Sequence, residues 1–215
     1  MFAATLNYNG GQVWYSSNGS DWMQANPSGF GSGNWGIWSI IEFQEELYVG
    51  VGGTASIWRS PDGISWTAVI TDGFGDIGNQ IIGYSMLVFR EDLYATTYNE
   101  ATGTEIWRTS NGSDWSQVNE DGFGNHQNAG IISMIIFNDE LYVGLRNYTF
   151  ASSIWKTQDG TTWTQVAPTG FGDNNNFAIW GMAEYNNSLY AGTQNINGCQ
   201  IWMELHQVFI PLVQK

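Results

Sequence analysis

Two carboxylates, Glu42 and Glu184, occupy equivalent places in a repeated apolar segment of this 215-residue chain. A pair of carboxyl groups flanking a glycosidic bond can hydrolyse it, provided both converge on one pocket. A second constellation is rich in amides. Asn7, Asn99, Asn147 and Asn195 recur at one repeat position, with Gly53 as the exception. Asn34, Asn128 and Asn176 recur at another, where Asn79 and Gln80 stand in the copy whose spacing slips by one. Tyr8, Tyr98 and Tyr148 sit beside the first set, and Trp35 and Phe177 beside the second. Trp38 and Trp180 follow three residues later, and Tyr84 four after Gln80. A carboxamide offers a donor and an acceptor to paired hydroxyls, and a flat ring stacks on the apolar face of a pyranose. Loops also use Asn to cap themselves and to reach a positive φ, so each Asn carries a structural reading beside the sugar-binding one.

Other chemistry is harder to assemble. Arg59 and Arg108 share one repeat position with Lys156, which marks a solvated strand face or a salt bridge. Arg90 falls in a turn, and Arg146 alone lies near a loop that could face a ligand. His126 and His206 are isolated, without partners at metal-ligand spacing. Asp72, Asp76, Asp121 and Asp173 read as solvated loop acids, since their spacing is not that of a calcium loop. Cys199 stands alone, which excludes an internal disulfide, and it aligns with small residues of other copies. No metal and no cofactor is expected.

The elements that must position these residues repeat through the whole chain. An apolar residue followed by Trp ends at Trp14, Trp58, Trp107, Trp155 and Trp202, at spacings of 44, 49, 48 and 47 residues. A second Trp follows at Trp22, Trp66, Trp115 and Trp163, then Gly-Phe-Gly centred on Phe30, Phe74, Phe123 and Phe171. Tyr48, Tyr94, Tyr142 and Tyr190 close each cycle within a Leu-Tyr pair. Such fixed order marks a repeat protein.

One copy shows the pattern. Residues 131–137 are a near-continuous apolar run suited to a strand buried on both faces. Asn138, Asp139 and Glu140 turn the chain into a second strand over 141–145, a polar loop over 147–152 leads to a third around 154–156, and a fourth covers 162–166. No stretch has a helical period. Four short antiparallel strands in about 48 residues describe a β-propeller blade. The expectation is an all-β, five-bladed β-propeller, one domain over 1–215, with blades at about 1–31, 36–75, 82–124, 130–172 and 178–213. The first blade lacks a first strand of its own. Residues 208–213 either form the fourth strand of the last blade, which alignment favours by setting Ile210 opposite Trp163, or supply that missing strand and close the ring.

Between third and fourth strands stand Asn18-Gly19-Ser20-Asp21-Trp22, Asp62-Gly63-Ile64-Ser65-Trp66, Asn111-Gly112-Ser113-Asp114-Trp115 and Asp159-Gly160-Thr161-Thr162-Trp163. An Asp or Asn oxygen can accept backbone N–H bonds across such a turn, Gly supplies the positive φ, and the Trp covers the hairpin. Burying about 200 Å² of Trp contributes roughly 5 kcal/mol as an upper bound. This pattern resembles the Asp-box (BNR) of sialidase-like and related propellers, in four of five copies; residues 203–207 have lost it. The resemblance implies that these turns lie on the outer rim, away from the ligand face. Sialidases would require three arginines on a carboxylate, a Tyr nucleophile with Glu, and an acid Asp. The four arginines here do not share a place from which three could converge, and the fold would be one blade short of the usual six.

The formal charge is -14, from 20 acids and 6 bases. That field repels phosphate backbones, which argues against nucleic acid and anionic membranes. No apolar run can span a bilayer, and no signal peptide is visible. Few lysines and many Asn, Ser and Thr suggest an extracellular or cell-surface protein. The chain is therefore expected to be a non-catalytic, lectin-like module that binds a glycan or polysaccharide at several weak sites between blades, with avidity across one face. A sialidase-like or other glycoside hydrolase is one alternative. A protein-interaction scaffold, in which the apolar tail at 205–215 contacts another subunit, is the other.

Overall fold

The structure is a computed structural model that describes residues 1–26, 30–53, 55–149, 151–205 and 208–212. The side chains of Ile82, Leu205 and Val208 fall outside that description, as does all of His206. Two compact units emerge: Met1–Asn99 with Trp107–Ser116, and Glu100–Ile106 with Gln117–Lys215.

In the first unit, β1 (Phe2–Ala4), β2 (Val13–Tyr15) and β3 (Met23–Gln24) form a three-stranded antiparallel sheet. β4 (Gly36–Phe43), β5 (Glu46–Gly52), β6 (Ser56–Ser60) and β7 (Thr67–Ile70) follow as a four-stranded meander. β8 (Ile81–Phe89) and β9 (Asp92–Tyr98) pair as a hairpin. The chain crosses between units within β10 (Ile106–Thr109) and β11 (Ser116–Gln117). The second unit holds two complete meanders. One is β12 (Asn128–Phe137), β13 (Glu140–Asn147), β14 (Ile154–Thr157) and β15 (Thr164–Gln165). The other is β16 (Asn176–Tyr185), β17 (Ser188–Asn195), β18 (Ile201–Leu205) and β19 (Val208–Pro211). The described residues contain no α-helix, only single 3-10 turns at Gly73–Gly75, Asp121–Gly124 and Thr169–Gly172.

Turn geometry sets the register. Gln44 and Glu45, Arg90 and Glu91, Asn138 and Asp139, and Asn186 and Asn187 all take φ between 49 and 68°. Two consecutive left-handed residues match the twist of a two-residue hairpin, and only Asn and Asp reach that region readily. The first strands carry a repeated irregularity. Register slips between Ile37 and Ser39, between Ile131 and Ser133, and between Ile179 and Gly181. Trp38, Ile132 and Trp180 are thus bulged at one repeat position, and Ala129 and Phe177 at a second slip nearer the strand start.

Each unit has its own cores. Ile57 and Leu93 are fully buried in one, and Ile154, Ile179 and Leu189 in the other. Truncating one such residue to Ala typically costs about 2–5 kcal/mol.

Two sequence expectations are refined. The fourth strand predicted over 162–166 shrinks to Thr164–Gln165, because Asp159 takes the N–H groups of Thr161 and Thr162 for its turn. Residues 208–211 pair with β18 and so form the fourth strand of the last copy. There Phe209, one residue before Ile210, fills the role of the missing Trp. Its ring lies 5.2 Å from Phe171, as Trp163 lies 5.7 Å from Phe123. Pro211 stands at the strand's end, where its missing N–H does no harm.

Candidate functional site

The repeat landmarks first account for themselves structurally. Each Gly-Phe-Gly holds its Phe left-handed: Phe30, Phe74, Phe123 and Phe171 have φ of 47, 61, 56 and 55°. That strain turns each ring onto the third-strand Trp of the following copy. Phe74 stacks on Trp107 at 4.3 Å, Phe123 on Trp155 at 4.6 Å and Phe171 on Trp202 at 4.7 Å, while Phe30 tilts against Trp58 at 5.2 Å. Trp66, Trp115 and Trp163 meet the same Phe rings from another side. The motif is an inter-copy rivet of stacked aromatics.

The four turns are equally consistent. Oδ1 of Asn18, Asp62, Asn111 and Asp159 each accepts two backbone N–H bonds, at 2.6–2.9 Å. A buried hydroxyl that closes the third strand, Ser16, Ser60, Thr109 or Thr157, accepts from the glycine N–H and donates to the same Oδ1. The N–H groups of Ser65 and Ile64 lower the Asp62 carboxyl to about 2. Those of Thr162 and Thr161 hold Asp159 well below the usual carboxylate range.

The recurrent cations are also committed. Arg59 pairs with Glu46 at 3.4 Å, Arg108 with Asp92 at 3.5 Å and Lys156 with Glu140 at 2.7 Å. Burial raises the hydroxyls of Tyr48 and Tyr142, whose oxygens approach Glu46 and Glu140. Arg59 and Arg108 are therefore not spare clamps for a carboxylate ligand. Glu42 and Glu184 are exposed, opposite Leu47 and Leu189 beside the hairpin turns. Glu42 is seven residues along the chain from Trp35, roughly 20 Å at strand rise.

The asparagines resolve into a ladder. Asn79, Asn128 and Asn176 donate to the first-glycine carbonyls of the Gly-Phe-Gly turns, Gly73, Gly122 and Gly170, at 2.8–2.9 Å, and Asn34 donates to Phe30 O. Asn99, Asn147 and Asn195 then donate to the Oδ1 of Asn79, Asn128 and Asn176 at 2.8–3.1 Å. Oδ1 of Asn7, Asn147 and Asn195 accepts the N–H two residues on. Asn34, Asn99, Asn128, Asn147, Asn176 and Asn195 are all buried. Asp173 joins the ladder through Asn195 and Gln200. The Asn175 backbone N–H, then Asn195, hold its carboxyl below the ordinary value. The amides thus build the loops, and the rings are what the loops present.

Those rings are ordered. Tyr8 is 84% exposed and stacks on Trp35 at 6.2 Å and 26°. Tyr148 is 51% exposed and stacks on Phe177 at 6.3 Å and 26°. The same geometry arises in each unit from equivalent positions. Tyr98, by contrast, is buried and stacks on Tyr84, which in turn stacks on Trp38. Trp180 is 48% exposed. In the second unit a cleft of about 470 Å³ is lined by Glu100, His126, Gln127, Ala129, Tyr148 and Thr149. That size suits a small ligand. Of its lining, only Tyr148 belongs to the ligand-facing set expected from sequence. Glu100 and Gln127 are each one residue from a recurrent Asn and Thr149 is two, but nothing in their own types singles them out.

Comparison with known proteins locates the fold. An ancestral GH74 enzyme superimposes with a TM-score of 0.68 over 98% of this chain and 29% of that one, at 14% identity. One of a pair of prolyl endopeptidases gives 0.60 over 95% and 30%, at 12% identity. Sucrose-6-phosphate hydrolase from Lactobacillus gasseri gives 0.51 over 82% and 47%, at 14% identity. The chain thus spans under half the length of each of these neighbours. No protein-family model and no curated protein matches the sequence. The chain is all-β, with a fold shared by glycoside-hydrolase propellers and by a peptidase, and a fold so widely used does not dictate chemistry.

Proposed function

We propose that this chain is an Asp-box β-propeller of five blades that binds glycans through exposed aromatic platforms on its loops, without catalysis. The observation that carries the reading is the recurrence of one stacked pair, Tyr8 with Trp35 and Tyr148 with Phe177, at matching distance and angle. Each presents an exposed phenol ring on a loop held by its own amides: the Asn147–Asn128 bond fixes the loop of Tyr148, and Asn7 accepts the Asn9 N–H beside Tyr8. Rings that stay in place without a ligand lose little entropy on binding one. The glycoside-hydrolase neighbours agree with a carbohydrate role, at the level of fold. The position of Glu42 and Glu184 beside the hairpin turns speaks against a hydrolytic carboxylate pair at the platforms.

The test is a broad glycan array probed with the intact protein and with the double variant Tyr8→Ala/Tyr148→Ala. Binding by the parent and its loss in a folded double variant supports the reading. An array that stays blank for the parent overturns it.

A further inference from the structure

Trp180 is one of two bulged residues of β16, Phe177 being the other, and is set outside the ladder by the register slip between Ile179 and Gly181. A bulge re-aims the side chain it carries. At the equivalent place in the first unit, Trp38 stacks on Tyr84 at 4.6 Å, and each ring covers the other. Trp180 remains half exposed, and its indole N–H donates to Gln194 Oε1. The Arg146 guanidinium lies 4.1 Å from the Tyr148 ring and 5.9 Å from the Trp180 ring. Cation–π contact with both rings braces them. The cleft opens against Tyr148 and is lined also by Gln127, whose Oε1 is buried without a hydrogen-bond partner among the described residues. Leaving such an acceptor unsatisfied is costly, and turning the Gln127 carboxamide toward the cleft would let a ligand hydroxyl satisfy it.

We infer that Tyr148 and Trp180, braced by Arg146, form with this cleft a single extended site for a neutral oligosaccharide of two or more pyranose units with equatorial hydroxyls. The inference rests on the glycan reading above and narrows it to one site and one ligand class. Two platforms call for two sugar rings, because Trp180 does not line the cleft that Tyr148 walls. Equatorial substitution leaves a pyranose face flat enough to lie on an aromatic ring, whereas an axial hydroxyl lifts it away. Neutrality follows from the net charge of -14, which repels a carboxylated sugar, while the cation at the site, Arg146, is engaged with the two rings.

Calorimetric titration of the intact chain decides the matter, using cellotetraose, methyl β-glucoside, mannotetraose and a tetramer of galacturonic acid. The expected result is binding of cellotetraose at least about tenfold tighter than of each other probe. Trp180→Ala and Gln127→Ala weaken it by about tenfold or more, which corresponds to roughly 1.4 kcal/mol. Trp180→Phe retains most of the affinity, and Arg90→Gln, in an exposed hairpin turn, leaves it unchanged. Circular dichroism and melting confirm that each variant folds. If Trp180→Ala binds like the parent while Tyr148→Ala does not, the extended site is wrong and the glycan reading survives. Equal or tighter binding of the acidic, axial or single-ring probe overturns the ligand class. Array-positive protein that binds none of the four probes overturns the inference alone, and a blank array overturns both.

Discussion

The side-chain amide of Asn147 donates to the side-chain oxygen of Asn128 across 2.9 Å, and Asn128 donates in turn to the carbonyl of Gly122. The two bonds thus tie the end of a second strand, through the start of the first, to the loop that precedes its own copy. The same relay runs from Asn195 through Asn176 to Gly170. Asn128→Ala and Asn147→Ala should each destabilise the protein by about 1–3 kcal/mol, the cost of orphaning buried polar groups. Urea unfolding measures it. An unchanged midpoint would mean that the ladder contributes nothing.

Phe123 is held left-handed so that its ring covers Trp155 and meets Trp163 edge-on. Phe123→Ala should cost about 3 kcal/mol through lost packing. Phe209→Trp, which restores the usual ring of the fourth strand, should be tolerated within about 1 kcal/mol, whereas Phe209→Ala should not. Thermal melts compare the two directly.

Much of this was legible in the chain. The spacing of Trp14, Trp58, Trp107, Trp155 and Trp202 gives strands and copies, because each Trp must sit at the same place in a meander. The turn Asp and Asn residues were readable from local chemistry alone. The role of Asn128 and Asn147 was not, since the bond that occupies them joins residues 19 apart. Nor was the prominence of Trp180. Its ring is re-aimed by a bulge that no residue type announces, and whereas Trp38, in the same bulge, is covered by a neighbour from the next copy, Trp180 stays 48% exposed.

Acid should act through the turns. The folded Asp62 carboxyl titrates near 2, below its unfolded value of 3.8. Its ionised form therefore stabilises the fold above the unfolded value, and that contribution fades as pH falls toward about 2. Asp159 and Asp173 act in the same direction. Asp62→Asn keeps the acceptor, as Asn18 and Asn111 already do, and should flatten the loss of stability in this interval. Melting temperatures from pH 5 down to about 2 would show it. An unchanged acid limb would contradict the assignment.

Arg59→Gln and Arg108→Gln should each change stability by less than about 1 kcal/mol, as partly exposed ion pairs do. Neither should alter glycan binding, because each guanidinium faces its own carboxylate. Loss of binding in either variant would revive an arginine clamp.

The central claim is that exposed rings, and not the recurrent amides, meet the ligand. The direct measurement is NMR of protein labelled in its Tyr and Trp rings and its Asn side-chain amides, titrated with the glycan that scores highest on the array. The account predicts shifts concentrated at Tyr8, Tyr148 and Trp180, with the Asn128 and Asn147 side-chain amides unmoved. Shifts confined to those amides, with the three rings silent, would contradict it.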